Sequence, residues 1–359
     1  MSFPEHGSQV AGIYQALGLS QPLEATIIDM SVNLNPMGPP PWLQEVVQLE
    51  WSHLLQYPEQ HGESLLAKLA AVESIDPTMV LLGNGGAELI YLVARLFTDG
   101  DVGILRPTFS EYEQALVGVN ARIHPLLLHE ENGWCWDQNE VFQQLQALDG
   151  IFLCNPNNPT GVAYPQEDLC ALVEAAAQRG ILLIVDEAFY DFQDVPFSLV
   201  PWITQYPNLI VLRSFTKMYH VPGLRLGALF ANPSIITRLR RWTPPWNVNH
   251  LALFLGKQLL EEQEYVLQTQ QYVQGERRRI FAGLEKLGFN HSPSVVHYYL
   301  LSLREKEDLT PLLKHLALHG IVARHTYNFP PLQGRYLRLA IKGRKENDRL
   351  LQVLEEWSR

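Results

Sequence analysis

From residue 79 onward, short apolar runs alternate with amphipathic stretches. Met79–Leu82, Val102–Leu105, Ile151–Cys154, Ile181–Val185, Leu209–Leu212 and Leu226–Phe230 are apolar almost throughout. Runs of this length without a polar face predict strands covered on both sides. Between them, Ala87–Phe97 and Gln166–Arg179 carry apolar residues at helical spacing. The alternation predicts an α/β layered domain built on a mainly parallel sheet. After Trp246 a helical stretch rich in Glu, Gln and Leu runs through Leu287. Beyond it, Val295–Leu303, a helix around Leu309–His319, Gly320–Arg324, Tyr336–Ile341 and a last helix from Lys345 predict a compact, smaller α+β domain. The N-terminal stretch carries turn signals at Asn35-Pro36 and Gly38-Pro39-Pro40-Pro41 and reads as an arm. The predicted division is an arm over 1–45, a large domain over 46–250, and linking helices with a small domain over 251–359.

With 359 residues, 47% of them hydrophobic, the chain can bury one large core and a second, smaller one. A formal charge of -11 argues against nucleic acid or an anionic membrane surface as a partner. Any anion site must therefore be local, made by a few arginines and helix ends. Cys135, Cys154 and Cys170 show no CxxC spacing, and three cysteines fit a reducing compartment better than a disulfide scaffold. The N-terminal residues lack the basic and apolar regions of a secretory signal, and no apolar run reaches the length of a membrane span. A cytoplasmic location is the expectation.

Several turns at strand ends carry chemistry. Gly83-Asn84-Gly85-Gly86-Ala87-Glu88 lies between a strand and a helix, where small residues let backbone N–H groups approach an anion. A plain Gly-rich turn is the competing reading, and the pattern is neither a Walker loop nor a dinucleotide fingerprint. Asn155-Pro156-Asn157-Asn158-Pro159-Thr160-Gly161 follows another strand, at the end where α/β proteins bind ligands. Asp186 ends the neighbouring strand. A buried carboxylate without a partner costs several kcal/mol, so it needs a cation beside it, either a ligand's pyridinium or an ordinary salt bridge. Lys217 follows small hydroxyl residues in Ser214-Phe215-Thr216-Lys217, with Arg225 downstream. Lysine and aspartate in this setting suit pyridoxal 5'-phosphate (PLP), which needs an amine for its aldehyde and a carboxylate for its ring nitrogen.

In this order, Asn-x-Asn-Asn-Pro-Thr-Gly, Asp-Glu-Ala-Phe, Ser-x-Thr-Lys and Gly-x-Arg-x-Gly resemble the fold-type I PLP enzymes of the class I/II aminotransferase family. The resemblance spans essentially the whole chain and implies the aspartate aminotransferase-like fold, with PLP as cofactor. It assigns Lys217 to the cofactor aldehyde, Asp186 to the pyridine nitrogen and Asn158 to the 3-hydroxyl. Phe109 matches the aromatic that stacks on the ring. Ser214 and Arg225 match phosphate ligands, aided by backbone donors at Gly85 and Gly86. Tyr57 matches a tyrosine that reaches the neighbouring subunit's cofactor, which implies a homodimer with shared sites. Arg338 matches the clamp on the substrate carboxylate, and Arg324 an arginine used by phosphate-bearing substrates.

Two branches of the family take phosphorylated substrates: histidinol-phosphate aminotransferases and L-threonine O-3-phosphate decarboxylases of cobalamin biosynthesis. Four features are similar to the decarboxylases: the arm with His6-Gly7 and Asp29 through Pro40, Phe189 at the strand end, Tyr219 through Arg225, and Pro245-Trp246-Asn247-Val248-Asn249. The resemblance thus implies decarboxylation of a phosphorylated amino acid, with a histidinol-phosphate or aromatic aminotransferase as the alternative. Phe189 replaces a tyrosine usual in the aminotransferases, removing one hydrogen bond to the cofactor. The outcome depends on which Cα bond stands perpendicular to the ring. Arg338 and Asn33 holding the carboxylate near the ring plane would favour transamination. Arg324, His6 and the arm holding the phosphate so that the carboxylate turns out of plane would favour loss of CO2. Two departures bear on the substrate. The arm reads His6-Gly7-Ser8-Gln9 where the decarboxylases tend to His-Gly-Gly-Asn, and Gly86-Ala87 stands where polar residues are usual. Serine phosphate or another phosphoamino acid therefore stays open.

Other residues carry less. His297-Tyr298-Tyr299 lies in an apolar strand pattern and reads as core. His315 and His319 have helical spacing but no accompanying carboxylate motif, and Arg277-Arg278-Arg279 reads as a charged helix surface.

Overall fold

The structure is a computed structural model that describes residues 3–23, 26–303, 305 and 308–358. Its strands, in chain order, are β1 (Ile28–Asp29), β2 (Val80–Asn84), β3 (Asp101–Arg106), β4 (Arg122–His129), β5 (Cys135–Trp136), β6 (Gly150–Cys154) and β7 (Leu182–Asp186). They continue with β8 (Leu209–Ser214), β9 (Leu226–Ala231), β10 (Asn290–His291), β11 (Tyr298–Ser302), β12 (Ile321–Val322), β13 (Arg324–His325) and β14 (Leu337–Ala340). Eight of them form one sheet in the order β2-β9-β8-β7-β6-β3-β4-β5. Pairing is parallel from β4 through β3, β6 and β7 to β8, and antiparallel at β9 and β5. This is the mainly parallel sheet that the apolar runs predict.

Side chains alternate across the sheet with period two. Ile151, Leu153, Leu183 and Val185 enter one hydrophobic core, while Phe152, Cys154 and Ile184 enter the core on the other face. Burial on both faces explains why these strands are continuous apolar runs. The same register sets the strand ends in line. Cys154 lies opposite Asp186, Asp186 opposite Leu212, Ser214 opposite Gly227 and Asn84 opposite Leu226. The ends of β2, β6, β7 and β8 and the start of β9 therefore share one edge, and the strand-end motifs at Gly83–Glu88, Asn155–Gly161, Asp186, Ser214–Lys217 and Arg225 are on it.

Three differences from the sequence reading have local causes. Strand β4 is absent from the apolar runs because Arg122, His124 and Pro125 interrupt it, and six of its eight residues are not buried. The stretch after Trp246 is two helices, His250–Leu259 and Gln263–Lys286. At the break Glu262 accepts a hydrogen bond from Trp42 Nε1 (2.7 Å) and Glu261 pairs with Lys68. Gly320–Arg324 divides because β12 pairs with β1 and β13 with β14. The small sheet runs β10-β11-β14-β13, antiparallel throughout. Among the described residues, no helix is long and apolar enough to cross a membrane.

The arm is firmly attached. It forms the helix Val10–Ala16, which the turn signals did not predict, and Tyr14 donates a hydrogen bond to Ala317 O at 2.8 Å. Its fully buried Asn35 joins the arm to the turn that carries Lys217. Asn35 N donates to Lys217 O (3.1 Å), Nδ2 donates to Met218 O (2.7 Å), and the carbonyl meets His220 Nδ1 (2.6 Å). Nδ2 also lies 2.9 Å from the hydroxyls of Tyr265 and Thr269, on the Gln263–Lys286 helix. Replacing Asn35 with alanine strands several buried polar groups. It is expected to cost about 2–4 kcal/mol, read as a lowered denaturation midpoint by tryptophan fluorescence; an unchanged midpoint refutes the anchoring role.

Candidate active site

A cavity of about 560 Å³ opens at the shared strand edge. It is lined by the arm (Glu5 to Ser8 and Asp29 to Leu34), by the strand-end turns, and by Arg324 and Arg338 of the small sheet. It therefore lies where the three predicted parts of the chain meet. Eleven of the thirteen residues singled out from the sequence line it, and Gly85 and Tyr57 do not.

Asp186 is buried at the end of β7. Its Oδ2 accepts from the Tyr112 hydroxyl at 2.6 Å and its Oδ1 from Ala188 N at 3.0 Å. Burial raises its pKa despite these two donors and the nearby Lys217. Among the described residues, no lysine, arginine or histidine forms an ion pair with it. The next residue shows the opposite solution. The alternation turns Glu187 away, and it pairs with Arg213 Nε at 2.9 Å. Thus the Asp-Glu pair divides into one internally neutralised acid and one that lacks a cation.

Lys217 follows β8 and lines the same cavity. Burial first, then Arg225 and Arg338, push its ammonium down to about 8, against the pull of Asp186. A substantial neutral fraction near neutral pH is what a nucleophilic or proton-carrying amine needs. Ser214 and Thr216 lie beside it with their hydroxyls 3.0 Å apart. Gly86, Ala87 and Arg225 complete this end of the cavity. Gly85 starts the Gly85–Ala94 helix with φ +81, and a side chain there would meet Arg225 Nη2 at 2.3 Å. Gly85 itself does not line the cavity, so the helix start presents Gly86. Phe109 forms a wall, its ring edge-on to Tyr112 at 5.8 Å.

The opposite end is strongly cationic. Arg324 and Arg338 are direct register partners in the β13–β14 ladder, so both project from one face. Both are buried. Arg338 donates to Asn158 Oδ1 (2.7 Å) and Ser31 O (2.6 Å), while its buried Nε has no partner. Arg324 donates to Pro4 O (2.9 Å), to Glu5 O and to Asn328 Oδ1 (2.8 Å). Burial and the facing Arg338 push Arg324 down to about 9, and burial pushes Arg338 down to about 10. No carboxylate among the described residues pairs with either guanidinium. Asn33 sits beside them with its buried Oδ1 unpartnered. His6 lines the mouth and meets Glu111 at 3.0 Å. A side chain on Gly7 would approach Ser31 O within 2.3 Å, so glycine is what lets the two arm loops close there.

Tyr57 is outside the cavity. It is 84% exposed, and its ring lies 4.9 Å from that of Trp246. The sequence reading missed Tyr112, on the helix Glu111–Val117, whose role is visible only once that helix is packed beside the end of β7, 74 residues on. It also passed over Thr216, although the Ser-x-Thr-Lys spacing pointed to it. His297, Tyr298 and Tyr299 are fully buried, as their apolar setting predicts.

The residues fit the cofactor that the resemblance implies. The unpaired Asp186 suits a cationic ring nitrogen, the amine of Lys217 faces the same space, and Gly86, Ser214, Thr216 and Arg225 form an anion pocket nearby. The family model for aminotransferase class I and II matches residues 25–354. The chain is 33% identical over 351 residues to threonine-phosphate decarboxylase of Salmonella typhimurium, covering 97% of this chain and 95% of that one. In fold it is similar to the histidinol-phosphate aminotransferase of Clostridium acetobutylicum, with TM-score 0.86, 27% identity and coverage of 92% and 98%. It is also similar to L-threonine-O-3-phosphate decarboxylase of Porphyromonas gingivalis, with TM-score 0.82, 25% identity and coverage of 91% and 98%.

Two outcomes are expected. Covalent capture of PLP by the apoprotein, trapped by borohydride, should rise with pH and reach half its maximum near 8 rather than at an ordinary lysine's 10.5; a midpoint near 10.5 contradicts the placement of Lys217. Tyr112→Phe removes a hydrogen bond to ionised Asp186, worth about 1.5–3 kcal/mol. The Asp186 carboxyl then rises further, and PLP affinity falls most at low pH; an unaltered pH profile removes Tyr112 from the site.

Proposed function

The chain belongs to the aminotransferase class I and II family, and from that premise we propose that it is a PLP-dependent carboxy-lyase acting on L-threonine O-3-phosphate. The product is the corresponding aminopropanol phosphate, the side-chain precursor of cobalamin. PLP is the cofactor of this family. When bound, it joins the substrate amine and draws the electron pair of a breaking Cα bond into its ring.

The observation that carries the reading is the Arg324–Arg338 register pair, two buried guanidinium groups side by side without a carboxylate. Like charges directly opposite across a ladder destabilise it, and burial adds to the cost. Two anionic groups on one ligand offset both. A phosphorylated amino acid brings a phosphate and a carboxylate together, whereas histidinol phosphate carries only the phosphate. Arg338 takes the carboxylate through its free Nε edge, with Asn33 beside it. Arg324, with His6 at the mouth, takes the phosphate. Holding both ends fixes rotation about Cα, and the bond held perpendicular to the conjugated plane is the one that breaks. In the proposed reaction that bond leads to the carboxylate. CO2 departs, and Lys217 Nζ delivers the proton that replaces it on Cα. Tyr112 and Ala188 keep Asp186 aimed into the cavity. Phe189 lines the wall with no hydroxyl, edge-on to Tyr298 at 4.8 Å.

An aminotransferase is the second reading, favoured by the TM-score of 0.86 to the Clostridium acetobutylicum structure. The exposed Tyr57, with Leu49, Trp51 and Leu55 also exposed nearby in sequence, supports a homodimer in which Tyr57 serves the neighbouring subunit.

The deciding experiment incubates the PLP-loaded protein with O-phospho-L-threonine and no keto acid. Sustained CO2 release over many turnovers is expected. A reaction that stops after one turnover and resumes with 2-oxoglutarate identifies an aminotransferase instead. Arg324→Ala should raise KM for O-phosphothreonine by about a hundredfold, in line with 2–5 kcal/mol for truncating one member of a buried charge pair, with far less effect on an unphosphorylated analogue. Equal losses on both substrates, in a variant that melts normally, remove Arg324 from phosphate recognition.

A further inference from the structure

Outside the cavity, Glu50, His53 and His250 converge at the surface. Glu50 Oε2 lies 2.8 Å from His250 Nε2 and 3.0 Å from His53 Nδ1. The three ligand atoms all lie within 4.8 Å of one another. None of these residues lines the cavity. We propose that they bind a divalent first-row transition ion, with zinc as the natural candidate, which clips the 43–55 segment to the start of the His250–Leu259 helix.

The first argument is charge. The helix Leu43–Leu49 has no buried residue, and Glu50 is the sole buried residue of the 3₁₀ turn Glu50–Leu55 that follows. Leu49, Trp51 and Leu55 of this segment are all exposed. Leu43, Val46 and Val47 pack against the main core while only partly buried, and Glu50 is the residue of the segment that is taken fully out of water. A buried carboxylate calls for a cation, yet the ion-pair partners of Glu50 among the described residues are the two imidazoles. No lysine or arginine pairs with it. A metal ion supplies the missing positive charge directly.

The second argument is ligand chemistry. Two imidazole nitrogens and one carboxylate oxygen are a donor set that zinc accepts, with a fourth position left for water. Metal–ligand bonds of about 2.0–2.2 Å around a tetrahedral ion place the ligand atoms about 3.3 Å apart. The present separations from Glu50 are a few tenths of an ångström shorter, and His53, 56% exposed at its side chain, is free to turn by that amount. Coordination through His53 Nδ1 and His250 Nε2 leaves each proton on the other ring nitrogen. His53 and His250 stack at 5.4 Å, so the ion enters an existing cluster rather than creating one.

The test uses the full-length, PLP-loaded protein stripped with a chelator and titrated calorimetrically with zinc. Wild type should bind one zinc per chain more than His53→Ala or Glu50→Gln, or bind that zinc at least about tenfold more tightly. Zinc held by PLP itself counts equally in all three proteins. Cobalt(II) should give the intense visible bands of a four-coordinate site in wild type and lose them in His53→Ala. Zinc should also raise the melting temperature of wild type more than that of His53→Ala, a variant expected to fold because His53 is largely exposed. Identical stoichiometry and affinity in wild type and His53→Ala overturn the proposal. So does absence of zinc binding in wild type, which reduces the cluster to a hydrogen-bonded triad.

Discussion

Charge buried without its counter-charge is the constraint from which the rest of this structure follows. Asp186, Lys217, Arg324 and Arg338 face one cavity, and none of the four forms an ion pair among the described residues. Each is displaced toward neutrality by its surroundings: the acid is pushed up, and the amine and guanidinium groups are pushed down. A protein stabilised only for its own sake would pair these groups, as Glu187 and Arg213 are paired one residue away. Retaining them unpaired sacrifices stability in the absence of ligand and stores it as affinity for the PLP cofactor and, in the proposed function, for a doubly anionic substrate. The separate sheets serve that purpose, because the edge of the large sheet carries the acid and the amine while the small sheet carries the arginines.

Much of this was legible in the sequence because the parallel strands are buried on both faces. Such strands can be little other than apolar runs, and their ends are marked by the first polar residue. Asp186 and Asn155 are such first residues, and Ser214 directly follows Arg213, the first polar residue of β8, so the strand pattern and the chemical motifs are two readings of one boundary. Strand β4 escaped for the converse reason: near the sheet edge, beside the short β5, it tolerates arginine, histidine and proline.

Features that depend on distant contacts were not legible. Nothing near Tyr112 in sequence announces a bond to Asp186, since the two are brought together only by packing a helix against β7. The pairing of Arg324 with Arg338 depends on the β13–β14 register, which a pattern of four or five residues does not determine. The convergence of Glu50 with His250 spans 200 residues. Even the arm, whose residues were read correctly as candidates for the cavity, was expected to be irregular, because Tyr14 gains its partner only from the far end of the chain.

Those separations impose an order on synthesis. A chain emerges from the ribosome N-terminal end first, and the sheet edge with Lys217 is complete once β9 has appeared. The arm is made before that edge, yet Ser31 waits for Arg338, 307 residues later, and Tyr14 waits for Ala317, 303 residues later. The nascent protein therefore possesses a cofactor-binding edge well before it possesses an anion-binding end. A segment translated before the sheet is among the last to find its place, so the site closes only when the residues around Ser31 meet those around Arg338.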